Sequence, residues 1–223
     1  MSFFQNTCKP DGFGGKLMVK FMNNGHRQLA NWGFSNLSVK DNLNILDAGC
    51  GGGANIAAWL EKSKNSYVTG LDYSEISVEE SKRVNEDAIN QKKCKVLQGN
   101  VADMPFPDSS FDCVSAFETI YFWPGLEDCF KEVNRVVKPN GIFMICNECD
   151  GTNEKDEKWT KVVDGMSIYD EKQIRDALEK SGFSDIESHY NSEKHWLCII
   201  AVGVCFIFSV WIYVQFPFRR LMP

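Results

Sequence analysis

From residue 43 onward, apolar runs of strand length alternate with amphipathic segments of helical period. The runs at 43–48, 67–71, 94–98, 112–117 and 141–146 read as strands, each bounded by turn residues. Between them lie helical patterns at 54–62, 75–90 and 126–137. The last is the clearest: Leu126, Phe130, Val133 and Val137 recur at steps of four, three and four and form one apolar stripe. Lys138-Pro139-Asn140-Gly141 then stops the helix. Ser74 caps the helix at 75–90, with Ser77 and Glu80 supplying a capping box one turn on. A further helix at 170–181 places Ile174 and Leu178 on one face. Two closing strands follow, at 183–190 and 195–202, and the short polar turn 191–194 makes one of them antiparallel. This alternation predicts an α/β fold, doubly wound, with a seven-stranded, mostly parallel sheet and an antiparallel last strand.

The ends of the chain break the rhythm. Residues 15–32 carry Leu17, Phe21, Met22 and Leu29, a helical pattern interrupted near Asn23-Asn24-Gly25. The expected organisation is a helical cap over 1–41, one domain over 42–202, and an apolar tail over 203–223. The run 196–216 holds 21 residues without a charge, followed by Arg219 and Arg220. Alone it would suit a membrane span. If the last strand uses 196–202, only 14 residues remain at 203–216, short of the roughly 20 that a spanning helix needs. The polar insertion 148–166 is either a lid, with Trp159 and Met166 facing a substrate, or a solvated loop.

Composition narrows the classes. A length of 223 residues fits one domain with a sizeable core, and a net charge of -6 argues against a nucleic-acid partner. Residues 1–6 (MSFFQN) lack the basic flank and apolar run of a secretory leader. The nine cysteines are an odd number, and Cys113, Cys146 and Cys198 sit inside strand-like runs, which points to buried free thiols. Cys146 and Cys149 make one CxxC without a second pair, so no metal is expected. The expected location is the cytoplasm, with membrane association through the tail as the alternative.

The chemistry gathers at the carboxyl ends of the strands. The first runs into Asp47-Ala48-Gly49-Cys50-Gly51-Gly52-Gly53 just before a helix, where glycine permits a tight turn and a close ligand. Gly49, Gly51 and Ala54 also satisfy the dinucleotide pattern, which leaves a nicotinamide dehydrogenase open at this point. Asp72 ends the second strand, where a carboxylate can accept both hydroxyls of a ribose.

The stretches ILDAGCGGG (45–53), LDYSEIS (71–77), GNVADMPFPDSSFD (99–112) and LEDCFKEVNRVVKPNGIFMI (126–145) together resemble the class I S-adenosylmethionine-dependent methyltransferases. The branch is one acting on small molecules, with a segment of the GN-x-A-x-M-P-F type. The resemblance is strong over 40–147 and looser to 202. It implies that Gly49, Cys50 and Gly51 pass under the methionine and ribose of the cofactor and that Asp72 holds the ribose. Tyr73 would pack on the adenine, Asn100 would bond its amino group, and the Val101 N–H would reach a ring nitrogen. Phe117 would lie near the methionine amine, and Asp47 would anchor the glycine turn or that amine. Candidates on the acceptor side are Glu118, Tyr121 and Trp123 after the fourth strand, with His26 closing the site from the cap; core packing is the competing role for Trp123. No Asn/Asp-Pro-Pro-Tyr/Phe segment and no Pro-Cys nucleophile is present. The resemblance therefore implies in-line methyl transfer to a small molecule, leaving S-adenosylhomocysteine. The alternatives are a non-catalytic cofactor-binding or membrane-tethered interaction protein and an NAD-dependent dehydrogenase. The segment at 99–106 and the lack of a second domain disfavour the dehydrogenase.

Overall fold

The computed structural model describes residues 3–8 and 10–204. Its strands are β1 (Asn44–Ala48), β2 (Tyr67–Asp72), β3 (Cys94–Gln98), β4 (Phe111–Phe117), β5 (Val137–Asn147), β6 (Phe183–Asn191) and β7 (Trp196–Gly203). The helices are α1 (Gly12–Gly25), α2 (Arg27–Ser35), α3 (Ala54–Lys62), α4 (Glu75–Val84), α5 (Glu86–Asn90), α6 (Leu126–Val136), α7 (Glu157–Val162) and α8 (Glu171–Lys180). The strands form one sheet in the order β3-β2-β1-β4-β5-β7-β6, parallel from β3 through β5. β7 runs antiparallel to both β5 and β6, as the short 191–194 turn demands. The chain moves outward from β1 to β3 and then returns to β4 on the other side of β1. That reversal opens a crevice at the carboxyl ends of β1 and β4, the usual ligand position in such sheets.

Side chains alternate between two apolar layers with the period of a strand. Leu46, Ala48, Val114, Ala116, Phe143 and Ile145 face α6 and α8, where they meet Phe130, Val133, Ile174 and Leu178. Ile45, Cys113, Phe117, Met144 and Cys146 face α2 and α3, where they meet Leu29, Phe34, Ile56 and Trp59. With both faces covered, the central strands are apolar at almost every position. α2 is part of this core: the Phe34 ring lies 4.8 Å from Trp59 and 5.2 Å from Phe117. All the described cysteines are free, and most are buried in these layers.

Three boundaries differ from the sequence expectation. The helix expected over 75–90 is two, because Asn85 turns its amide inward to donate to the Gly53 and Ser81 carbonyls at 3.0 Å each. The Lys138-Pro139-Asn140-Gly141 stop lies inside β5. α6 passes directly into that strand, and the turn forms an irregularity between the Phe111–Val137 and Cys113–Ile142 pairs. Pro139 has no N–H for the ladder and Asn140 takes a left-handed φ of 61°. The break in the N-terminal helix falls at His26 (φ -84°, ψ 3°), one residue beyond the expected Asn23-Asn24-Gly25.

The insertion at 148–166 contains a 3-10 turn and α7, and it is tied down at both sides. Ser167 N–H donates to the Tyr121 carbonyl at 2.9 Å, and Gln5 exchanges two hydrogen bonds with the Asp164 backbone, at 3.1 and 2.9 Å. β7 takes 196–203, and the rest of the apolar tail, 205–223, lies outside the described residues. No helix among the described residues is long and apolar enough to cross a membrane.

Candidate active site

The turn after β1 is clipped to the end of β2. Gly49 and Cys50 N–H groups both donate to the Leu71 carbonyl, at 2.7 and 3.0 Å, and Gly53 N–H closes back on Cys50 O. Gly49 and Gly51 have φ of 77° and 51°, a region that side chains disfavour. Their surroundings differ. A Cβ on Gly49 would lie 2.0 Å from the Thr119 hydroxyl, whereas a Cβ on Gly51 would point into open space. Cys50 is buried, its thiol beside the Ser81 hydroxyl, and burial pushes its pKa well up.

Asp72 stands where the sequence places it, at the end of β2 and on the wall of a cavity. One carboxylate oxygen accepts the Gly51 N–H at 2.8 Å and the other the Ser74 N–H at 2.9 Å. Burial raises its pKa and these two bonds oppose the rise. Ser74 caps α4 by accepting from Ser77 N–H, so the carboxylate braces both the glycine turn and the cap. Tyr73 is half exposed at the rim, and its hydroxyl donates to the Cys8 carbonyl of the N-terminal segment. Asn100 and Val101 line the same end of the cavity; the Asn100 side-chain oxygen accepts from Ala102 N–H at 3.0 Å. Phe117 reaches the cavity from the end of β4.

Asp47 lies beneath the turn. One of its oxygens accepts from the Ser115 hydroxyl at 2.8 Å, and the other is buried without a hydrogen-bond partner. Burial pushes its pKa up to about 7, against the Ser115 bond and with some help from Asp72.

The acceptor-side candidates divide. Trp123 lines the cavity and also packs into the core, its ring stacked 6.3 Å from Phe143 and edge-on to Phe130. It precedes α6, and its indole N–H donates to Thr119. Glu118, by contrast, joins a polar cluster. One of its oxygens accepts from the Tyr121 hydroxyl at 3.1 Å and from the Glu148 N–H. The Tyr121 hydroxyl in turn accepts the Cys149 N–H at 2.9 Å. His26 Nδ1 lies 3.3 Å from a Glu148 oxygen and 3.8 Å from the second Glu118 oxygen, as an ion pair without hydrogen-bond alignment. Burial pushes the Glu118 pKa up to about 7, with the His26 charge opposing and the Glu148 charge adding. For His26 burial pulls downward, but Glu148 and Glu118 together hold the pKa above its ordinary value. One ligand-type atom from each of His26, Glu118 and Glu148 lies within 4.8 Å of the others, a convergence that the sequence did not suggest.

Except for Asp47, which is buried beneath the turn and is not on its wall, these expected site residues share one cavity of about 1210 Å³. Single-ligand sites usually measure about 300–1,000 Å³, so a donor and an acceptor fit together. Trp159 and Met166 of the insertion line it, as the lid alternative expected. Sequence reasoning missed Glu148, and the signal was available. Like Asp72, which ends β2, and Glu118, which follows β4, it is a carboxylate at the carboxyl end of a parallel strand. It also missed Asn23, whose amide donates to the Gly52 carbonyl at 2.9 Å and joins α1 to the turn.

Residues 46–145 match the methyltransferase domain family. The chain is 40% identical over 110 residues to a sterol 24-C-methyltransferase of Gibberella zeae, covering 49% of this chain and 29% of that protein. It is 31% identical over 159 residues to the cycloartenol-C-24-methyltransferase of Arabidopsis thaliana, covering 67% and 47%. It thus spans less than half the length of these two relatives. Among solved structures, an S-adenosylmethionine-dependent methyltransferase from Aquifex aeolicus superposes with a TM-score of 0.71 at 18% identity, covering 85% of this chain and 98% of that one. Residues 46–145 thus match a methyltransferase domain family, and the chain has the seven-stranded α/β fold of the superposed structure.

Proposed function

We propose that this protein transfers the methyl group of S-adenosylmethionine to a small-molecule acceptor by in-line displacement. One observation carries the reading: a single cavity runs from the glycine turn and Asp72 at one end to Glu118, Glu148 and His26 at the other. The residues at the first end suit the cofactor. The space over Gly51 admits its backbone, the Asp72 carboxylate offers acceptors to the ribose, and Asp47 supports the turn from beneath. Gly49, Cys50, Tyr73, Asn100, Val101 and Phe117 complete this end, in the roles that the family resemblance gives them. The cofactor supplies an electrophilic methyl group on sulfonium. The protein supplies alignment, which is worth roughly 7–11 kcal/mol for a well-placed pair, and aromatic walls from Tyr121 and Trp123 that favour positive charge.

Two further points support a small acceptor: the net charge is -6, and the named relatives act on sterols. The test is transfer from methyl-labelled S-adenosylmethionine into fractionated cell extract. Label is expected in the small-molecule fraction, in a form dependent on Asp72. Label confined to protein or nucleic acid would contradict the proposal.

A further inference from the structure

We propose that the acceptor is an amine, held as its ammonium ion by Glu118 and Glu148 and deprotonated by Glu118 before attack; this rests on the methyl-transfer reading above. The argument begins with the Glu118 backbone. Its φ is 56°, a strained value for a residue with a side chain. Such strain persists where the surrounding structure holds it in place, commonly at functional sites. The strain aims a buried carboxyl into the cavity from the end of β4, with the Glu118 N–H pinned to the Cys146 carbonyl at 2.9 Å. One Glu118 oxygen is consumed by Tyr121 and by the Glu148 N–H, while the other faces His26 across 3.8 Å. Glu148 adds a second carboxylate 3.3 Å from the same ring nitrogen. Two carboxylates against one imidazole leave an excess of negative charge in a largely buried place. A cation completes the set, and the aromatic side chains of Phe122 and Trp159 line the same cavity.

The reaction distinguishes among acceptors. A thiol or a sterol brings no charge for the carboxylates to hold. An ammonium ion does, but it has no lone pair and must lose a proton before it can attack. Glu118 takes that proton. The groups facing it are His26 from the α1–α2 junction, Tyr121 from the turn before α6, and Cys146, Glu148 and Cys149 from the end of β5. Burial among them pushes its pKa up to about 7, which makes a carboxylate an effective base near neutrality. The amine nitrogen then forms a bond to the methyl carbon as the carbon–sulfur bond breaks, its electron pair remaining on sulfur. The products are a methylated ammonium ion and neutral S-adenosylhomocysteine. Glu118, on the cavity wall, then releases that proton to the solvent of the cavity.

The test uses the full chain loaded with S-adenosylhomocysteine, titrated in a calorimeter with benzylamine, tyramine and tryptamine at millimolar concentration. Benzyl alcohol, 2-phenylethanethiol and cycloartenol are the neutral counterparts. The amines are expected to bind and the neutral probes not. Glu118→Gln keeps the side-chain shape and should weaken the amines by about 10- to 100-fold, the equivalent of one charged hydrogen bond, while leaving S-adenosylhomocysteine affinity unchanged. In turnover with labelled cofactor, the amine that binds best should lose about 10²–10⁴-fold in kcat through the same substitution. Failure of every amine to bind, equal binding of the neutral probes, or loss of activity on chelation of divalent metal would overturn the proposal. So would a Glu118→Gln protein that loses affinity for S-adenosylhomocysteine itself, since Glu118 would then serve the cofactor. A parent protein that does not bind S-adenosylhomocysteine would instead bring down the methyl-transfer reading on which the proposal stands.

Discussion

Asp72 is engaged before any ligand arrives, and that changes what its removal should do. Viewed as a crevice carboxylate alone, Asp72→Ala should weaken the cofactor and leave the fold untouched. The structure shows it also accepting from Gly51 and Ser74 N–H groups, so two donors lose their partner together. Asp72→Ala is therefore expected to lower S-adenosylhomocysteine affinity by about 10- to 100-fold and stability by about 1–2 kcal/mol. Asp72→Asn should lose less of each. Titration and unfolding curves for both variants would show it, and unchanged affinity with lowered stability would assign Asp72 to the turn alone. Gly49 and Gly51 make a second pair. Gly49→Ala drives a Cβ against Thr119 and should prevent stable folding. Gly51→Ala meets open space and should cost only about 1–2 kcal/mol of stability, from the left-handed backbone, yet still impair cofactor binding. Asp47 sets a pH dependence. Its pKa is raised in the folded state, so its contribution to stability is full below about 4 and is lost as pH rises through about 7. In ligand-free protein, Asp47→Asn should flatten that decline in urea unfolding between those pH values; an unaltered profile would mean that the carboxyl titrates normally.

At the level of elements, period and turn chemistry located all seven strands, because both sheet faces are covered and the central strands are apolar at almost every position. What escaped depended on contacts from distant parts of the chain. The break at Asn85 exists because its amide satisfies Gly53, thirty-two residues away. The stop signal after α6 became part of β5 because β4 offered pairing on both sides of it. The cluster of His26, Glu118 and Glu148 draws on three separate elements, and only the first two residues stood out in sequence. The insertion's fastening was equally hidden, since Gln5 and Asp164 are separated by 159 positions. That clasp predicts a measurable effect. Gln5→Ala should speed amide hydrogen exchange over 157–166, and S-adenosylhomocysteine should not restore the Asp164 amide, whose acceptor is gone. Unchanged exchange there would show that α7 is held by its cavity contacts alone.

Across the whole molecule, β7 explains why the uncharged run beginning at Trp196 has the composition it does. This strand lies between β5 and β6 and is buried over nearly all its length. Removal of 204–223 should leave a folded protein that binds S-adenosylhomocysteine. Removal from 196 onward takes away an interior strand, exposes the edge of β5 and should cause aggregation. A monomeric, ligand-binding protein lacking 196–223 would contradict that role. The central claim is that the crevice over Gly49–Gly53 is built for S-adenosylmethionine, although its glycine spacing also fits a dinucleotide. Isothermal titration of the full chain with S-adenosylhomocysteine and, separately, with NAD decides between them. Saturable binding of S-adenosylhomocysteine with no heat from NAD is the predicted result; binding of NAD without S-adenosylhomocysteine would contradict the account.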